Sequence, residues 1–132
     1  MGDRSNIDIL KDAYAAFGRG DLEAILRDVD PNIEWDVAGP KEIPWAGSSR
    51  GHDGVTKFFA TIDAEAEVQS FEPQNFIADG DKVVVLGSEK IRSKRTGRTY
   101  EANWAHVFTV VGGKIVKFRE YTDTSAIASA FR

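Results

Sequence analysis

The stretch 103–121 constrains this chain most, because two runs rich in β-branched and aromatic residues flank Gly112–Gly113. Such runs on either side of a Gly-Gly pair are typical of two antiparallel strands joined by a tight turn. Residues two apart in a strand lie on the same face of the sheet. One face of the first strand is therefore predicted to carry Trp104, His106, Phe108 and Val110. The hairpin thus presents an aromatic surface with one imidazole on it.

The face of the return strand that lies beside His106 depends on the length of the turn. A two-residue loop would place Arg119 and Tyr121 there, whereas a three-residue loop would place Phe118 and Glu120 there. We favour the three-residue loop, with the second glycine as a left-handed bulge residue, because it joins two largely apolar faces. This choice predicts an imidazole and a carboxylate side by side on an aromatic surface.

The rest of the chain divides into helical and extended patterns. Ser5 or Asn6 can cap a first helix that ends at 18–20, and Asp21 can cap a second. Further helices are predicted at 53–64 and 125–131, and strands at 33–37, 67–78, 82–94, 99–111 and 114–122. The order helix, helix, strand, helix and then four long strands indicates one α+β domain over 1–132, with helices on the concave side of a curved antiparallel sheet.

The segment 38–50 is predicted to be a loop, and it is long for a compact domain. Loops of that length are often functional, and Trp45 in its middle requires burial. We therefore expect the loop to fold over part of the domain.

Composition and charge exclude several classes of function. The net charge is −4, and no long Lys/Arg run is present, which argues against a nucleic-acid binder. No apolar run approaches a membrane span, and no signal-peptide pattern is seen at the N-terminus. With no cysteine, a disulfide and a thiol nucleophile are excluded. We expect a cytoplasmic protein without membrane or nucleic-acid partners.

Metal and nucleotide sites are not predicted either. The two histidines are far apart in the sequence and lack clustered acids, so no metal site is expected. No Gly-rich phosphate loop follows a strand, and no cofactor is indicated. His52, between Gly51 and Gly54, is expected to be an exposed loop residue.

Three short motifs together resemble the NTF2-like superfamily: Gly20–Asp21–Leu22, residues 47–55 and residues 113–121. Within that superfamily the chain is most similar to the SnoaL-like polyketide cyclases, with ketosteroid isomerase-like proteins as further relatives. The resemblance implies an open cone that takes a small, mostly apolar ligand, often in a homodimer. It also implies a histidine on the penultimate strand and an acidic base on the last, which here correspond to His106 and Glu120. Glu120 stands where those cyclases carry aspartate.

Other branches of the superfamily match less well. The ketosteroid isomerases carry a catalytic aspartate on the first strand, where this chain has Trp35. Tyr14 is displaced by one position from the tyrosine of their oxyanion hole, and His106 replaces their second acid. Steroid isomerisation by that route is not expected, and the Asp-Arg-Asp set of limonene-type epoxide hydrolases is not evident.

His106 and Glu120 are the predicted catalytic residues. An imidazole and a carboxylate within apolar walls can remove a proton next to a carbonyl group. The alternative is a buried polar pair that only satisfies its own hydrogen bonds. The function expected is thus a cofactor-free cyclase, isomerase or dehydratase acting on a small hydrophobic carbonyl or aromatic compound, or else a non-catalytic ligand-binding or dimerisation domain.

Large aromatic side chains are the candidates for the ligand site, because they offer rigid apolar surfaces. The predicted substrate-binding residues are Trp35, Trp45, Trp104, Phe108, Phe59 and Phe118. The alternative for each of them is ordinary core packing. We also expect a homodimer formed through the convex face of the sheet, which is predicted to bear Val107, Thr109, Ile115 and Tyr121.

Overall fold

The computed structural model describes residues 4–132, within which lie four helices and six strands. The helices are α1 (Asn6–Gly18), α2 (Leu22–Arg27), α3 (Gly51–Glu65) and α4 (Thr124–Phe131). The strands are β1 (Val29–Val37), β2 (Gly47–Arg50), β3 (Ala66–Asp79), β4 (Lys82–Ser93), β5 (Thr99–Val111) and β6 (Lys114–Thr122). All of the predicted helices and strands are present. The strand β2 is an addition, since the sequence predicted a loop throughout 38–50.

Three helices begin at a capping side chain. The Ser5 hydroxyl accepts a hydrogen bond from the Asp8 backbone N–H, and the Asp8 carboxylate accepts one from the Ser5 N–H. Asp21 and Asp123 each accept from the backbone N–H three residues further on. These bonds satisfy N–H groups that have no partner inside a helix. The caps at Ser5 and Asp21 confirm the helix starts expected from the sequence.

The six strands form one sheet in the order β2-β1-β6-β5-β4-β3. Neighbouring strands are antiparallel except β1 and β6, which run parallel. The sequence predicted an antiparallel sheet, and this one pair differs: the long connection through α3 and β3 to β5 serves as the crossover that parallel neighbours need. Along β4 and β5 every second residue is buried, and the buried side is the concave side, which α1 and α3 cover. The α+β cone expected from the sequence is the observed fold.

The predicted pairing of the last hairpin is correct, but the predicted turn is wrong. The turn has two residues, Gly112–Gly113, both with positive φ (58° and 80°), as a tight primed turn requires. The register then shifts by one between Lys114 and Lys117, so that Val116 is an extra residue on β6. This bulge, rather than a longer turn, brings Glu120 opposite His106.

The same bulge corrects the prediction for Ile115. Ile115 was expected on the convex face, but it pairs with Val110 on the concave side and is only 2% exposed. Because it lies between the turn and the bulge, Ile115 has the opposite facing from the one that an unbroken strand would give it. Tyr121 is beyond the bulge and does lie on the convex face, opposite Ala105.

His52 is also placed differently from the prediction. It lies in the first turn of α3, is partly buried, and its Nε2 is 2.7 Å from the Val29 carbonyl oxygen. His52 therefore ties α3 to the start of β1 rather than standing free in a loop. No helix within residues 4–132 is long and apolar enough to cross a lipid bilayer.

Candidate active site

A cavity of about 100 Å³ lies between the concave face of the sheet and the helices α1 and α3. Its walls are mainly aromatic and aliphatic. The phenylalanines and tryptophans that line it are Phe17, Trp35, Trp45, Phe58, Phe59, Phe71, Phe108 and Phe118. The titratable residues that line it are Tyr14, Glu89, His106 and Glu120. An apolar cavity with a few convergent polar groups is the usual form of a small-molecule site.

His106 and Glu120 meet directly on this wall. They face each other across β5 and β6, and both side chains are buried. The His106 Nε2 atom is 2.8 Å from Glu120 Oε2, within hydrogen-bond distance. The pairing thus holds an imidazole and a carboxyl group together inside an apolar cavity.

Tyr14 of α1 completes a three-residue chain from the other side of the ring. Its hydroxyl oxygen is 2.7 Å from His106 Nδ1. Burial raises the pKa of Tyr14 well above its ordinary value, and the charge of Glu120 adds to this effect. The hydroxyl therefore keeps its proton throughout the physiological pH range.

The direction of each hydrogen bond follows once Glu120 is ionised, as its role as a base requires. An ionised Glu120 only accepts, so the Nε2 of His106 must carry the hydrogen that it shares with Glu120. In a neutral imidazole Nδ1 is then an acceptor, and the Tyr14 hydroxyl donates to it. When the imidazole is protonated, Nδ1 also donates, and the hydroxyl hydrogen of Tyr14 is released for another acceptor.

Trp104 supports the imidazole from behind rather than lining the cavity. The rings of Trp104 and His106 stack with centroids 3.9 Å apart and planes at 15°. Phe71 stacks on Trp104 in turn, at 5.0 Å and 16°. These stacked rings restrict the His106 side chain to one orientation.

Space for Trp104 exists because position 87 is glycine. A Cβ at Gly87 would overlap the Trp104 ring and lie 2.5 Å from the Glu72 carbonyl oxygen. Gly87 and Trp104 are direct partners across β4 and β5. The glycine thus allows the indole to lie flat over the neighbouring strand.

The other predicted ligand-site residues are brought to the cavity wall from separate parts of the chain. Trp35 comes from β1, Trp45 from the loop after it, and Phe59 from α3, whereas Phe108 and Phe118 face each other on β5 and β6. Trp45 is only 8% exposed and also packs edge-on against Phe131 of α4. The long loop therefore contributes to the cavity, and Trp104 is the only one of the six that lies outside its lining.

Two polar residues at or beside the cavity, Glu89 and Tyr100, were not singled out from the sequence, and Tyr14 was set aside there as displaced from the tyrosine of the ketosteroid isomerases. The structure brings the Tyr14 hydroxyl to His106, which is 92 residues away in the sequence, and helical spacing gives no sign of that contact. Glu89 had a usable signal, because residues 83, 85 and 91 of the same strand alternate as core valines and isoleucine. That period of two places Glu89 on the buried face.

Glu89 and Tyr100 form a second buried polar pair. The Tyr100 hydroxyl donates a 2.6 Å hydrogen bond to Glu89 Oε2. Burial raises the pKa of Glu89 to about 7, partly opposed by the Tyr100 hydrogen bond and further increased by the charge of Glu120. Burial and Glu89 together raise the pKa of Tyr100 above its ordinary value. Near neutral pH the cavity therefore contains a carboxyl group that is partly protonated.

A metal site is not formed by these side chains. Within residues 4–132, no three His, Cys, Asp or Glu side chains lie close enough together to bind a metal ion.

Comparison with known proteins places the chain among similar domains. The family model of the SnoaL-like domain matches residues 10–118. An NTF2-like protein of Burkholderia xenovorans LB400 is 38% identical, with a TM-score of 0.89 over 96% of this chain and 95% of that one. An NTF2-like protein of Burkholderia thailandensis E264 is 34% identical, with a TM-score of 0.90 over 98% and 99% of the two chains. TerC, co-crystallised with polyporic acid, is 28% identical, with a TM-score of 0.85 over 96% and 97%.

Proposed function

The chain belongs to the SnoaL-like domain family, and from this premise we propose that it is a cofactor-free enzyme acting by acid–base chemistry on a small hydrophobic compound. The compound carries a carbonyl group or an aromatic ring, and the reaction is of the cyclase, isomerase or dehydratase type. One observation carries the proposal: the Tyr14–His106–Glu120 chain of hydrogen bonds reaches an apolar cavity that separate segments of the chain enclose. The co-crystallisation of TerC with polyporic acid supports a small organic ligand for a cavity of this kind.

Glu120 is the proposed base. Its Oε2 accepts from His106, and within residues 4–132 its Oε1 makes no hydrogen bond, so Oε1 is the oxygen left to accept a proton. Removal of a proton from the carbon next to a carbonyl group breaks the C–H bond and moves its electron pair into the enolate. The proton on Glu120 then returns to another carbon in an isomerisation, or departs with a hydroxyl group as water in a dehydration.

His106 and Tyr14 are proposed to hold the base and to deliver a proton. The Nε2–H of His106 fixes the Glu120 carboxylate, and Tyr14 fixes the ring through Nδ1. When the imidazole is protonated, the Tyr14 hydroxyl becomes a donor for an oxygen on which negative charge develops. A donor placed in an apolar cavity is worth more than in water, because the low dielectric strengthens its interaction with the developing charge.

The test is exchange of α-hydrogens in a simple ketone. 4-Methylcyclohexanone in D₂O is incubated with the protein, and loss of the α-proton signal is followed by NMR. We expect Glu120→Gln to slow the enzyme-dependent exchange by about 10²–10⁴, the usual worth of a positioned acid–base group. His106→Ala should also slow it, and the double variant should lose less than the product of the two effects, because paired groups act as a unit.

A control variant and the alternative function give contrasting expectations for the exchange rate. Glu101→Gln removes an exposed carboxylate from the neighbouring part of β5 and should leave the exchange unchanged. A non-catalytic ligand-binding or dimerisation domain predicts no protein-dependent exchange at all. It also predicts a Glu120→Gln protein that is as stable as the parent or more so, since a buried charge has been removed.

A further inference from the structure

Glu89 is a carboxyl group that the proposed proton transfer does not use, although it lines the same cavity. It lies on β4, where it pairs with Phe71 on one side and Ala102 on the other. Ala102 is four residues before His106 on β5, which corresponds to about 13 Å along the strand. Glu89 and the His106–Glu120 pair therefore enter the cavity from positions well separated along the sheet.

The hydrogen bonding of Glu89 is only half complete. Tyr100 donates to Oε2, whereas Oε1 has no hydrogen-bond partner within residues 4–132. Glu89 is 9% exposed. Within residues 4–132, the side-chain polar atoms that are completely buried without a hydrogen-bond partner are the Nε1 atoms of Trp35 and Trp104. Oε1 of Glu89 is not one of them, so it retains some access to the cavity. Burying a carboxyl group is costly unless it is neutral or fully hydrogen-bonded. An oxygen without a partner on a cavity wall is suited to contact a ligand.

We propose that Glu89, held by Tyr100, is a second polar anchor of the cavity, whose neutral form donates a hydrogen bond from Oε1 to an acceptor oxygen of the ligand. The ligand class that follows is a ring compound with two oxygen functions, one at the His106–Glu120 pair and a carbonyl oxygen near Glu89. This inference rests on the proposed function for the first oxygen and extends it to the second.

The electrostatic surroundings support a neutral Glu89. The titratable groups that face it are Tyr100 beside it, and Tyr14, His106 and Glu120 elsewhere on the cavity wall; its partner on β3 is Phe71, which carries no charge. Burial and the negative charge of Glu120 both favour the protonated acid. With Oε2 accepting from Tyr100, the proton belongs on Oε1, where it is available to a ligand.

The experiment compares two ketones of similar shape. Cyclohexane-1,4-dione has a second carbonyl oxygen across the ring, and 4-methylenecyclohexanone has a methylene group in its place. Dissociation constants of both are measured by ligand-observed NMR at pH 6 and at pH 8.5. The preference for the dione, taken as the ratio of the two constants, is expected to fall by roughly three- to tenfold between these pH values, the worth of one hydrogen bond.

Variants of Glu89 show whether the pH dependence of the preference comes from Glu89 or from another titratable group. Glu89→Gln retains both hydrogen bonds, because its amide oxygen accepts from Tyr100 and its NH₂ group donates to the ligand. It should therefore keep the preference for the dione at both pH values. Glu89→Leu should lose the preference at both, and Glu101→Gln, an exposed glutamate on β5, should behave like the parent.

Several results would overturn this proposal. A ratio that is independent of pH in the parent protein would do so, and this measurement does not depend on the folding of any variant. Equal ratios in the Gln and Leu variants, or no saturable binding of the dione at pH 6, would do so as well. The ratio of constants reports on Glu89, whereas α-hydrogen exchange of 4-methylcyclohexanone reports on Glu120, so failure of one can be told from failure of the other.

Discussion

The buried carboxyl groups of this cavity have different surroundings, although both belong to glutamate. Glu120 has an imidazole at 2.8 Å, a partner that donates a hydrogen bond to its ionised form. Glu89 has a neutral phenol at 2.6 Å and lies in a mainly apolar cavity. The two carboxyl groups thus have different hydrogen-bond partners, which suits Glu120 to accept a proton and Glu89 to donate a hydrogen bond.

Glu89 should make the stability of the protein depend on pH. Its pKa rises from the ordinary value of 4.5 to about 7 in the folded state, so the folded state holds more protons between these values. The free energy of unfolding should therefore fall as the pH rises from about 4.5 to 7 and remain lower above pH 7. A shift of this size corresponds to on the order of 3 kcal/mol.

Urea unfolding of the parent and of Glu89→Gln at pH 5 and pH 8 measures this contribution. The Gln side chain does not titrate, so the variant should be less sensitive to pH and more stable than the parent at pH 8. The exposed Glu101→Gln is the matched control and should follow the parent. A Glu89→Gln protein with the same pH dependence as the parent would show that Glu89 is ionised in the folded state as it is in the unfolded chain.

At the scale of the strand, the alternation of buried and exposed residues along β4 and β5 was predictable from the sequence. For the last hairpin, the pairing of residues was predictable but the turn and the bulge were not. The choice of Glu120 as the partner of His106 followed from the apolar character of two faces, and the structure confirms that pairing. The bulge at Val116 that produces it was not predicted, because the residues around it are all ordinary strand formers. The tight packing of Phe118 and Ile115 on the concave side, on either side of the bulge, depends on the whole core rather than on local sequence.

Contacts between distant elements account for the rest of what the sequence left unassigned. Tyr14 fits an apolar helix stripe, and only the approach of α1 to β5 gives its hydroxyl a partner. Trp104 was placed on the correct face of β5, but its role as support for His106 depends on the absence of a side chain at Gly87. A single sequence indicates the facing of such residues and does not indicate which neighbours they meet.

Gly87→Ala tests that support. The added methyl group would overlap the Trp104 ring and approach the Glu72 backbone oxygen, which cannot move without disturbing the β3–β4 ladder. We expect a loss of stability of about 1–3 kcal/mol in urea unfolding, the usual cost of overpacking, together with a change in the near-ultraviolet CD of tryptophan. Gly18→Ala is the control, since a Cβ there meets no atom within 4 Å. Equal stability of the two variants would mean that Trp104 does not need the space over Gly87.

At the scale of the whole molecule, the convex face of the sheet carries exposed apolar side chains among polar ones. On the convex face Leu86 and Tyr121 flank Ala105 on adjacent strands, and the two larger side chains are 37% and 50% exposed. The next row across the same strands contains Val84 and Val107 and ends in Arg119, whose guanidinium lies over the Tyr121 ring. Burying such a row against a second copy would remove apolar surface from water, which favours association through a two-fold axis.

We therefore predict a homodimer formed through the convex face. Light scattering at micromolar concentration measures its mass. The parent should have twice the mass of the chain, and Leu86→Lys with Tyr121→Lys should have the mass of one chain, because like charges would then meet across the two-fold axis. Thr56→Lys adds a lysine at an exposed position on α3, away from the sheet, and should leave the dimer intact. The cavity lies on the other side of the sheet, so dissociation by the convex-face variant should not change the binding of 4-methylenecyclohexanone. The prediction is wrong if the parent protein is a monomer at these concentrations. It is also wrong if the dimer persists when both lysines are present, because the exposed row would then not form the interface.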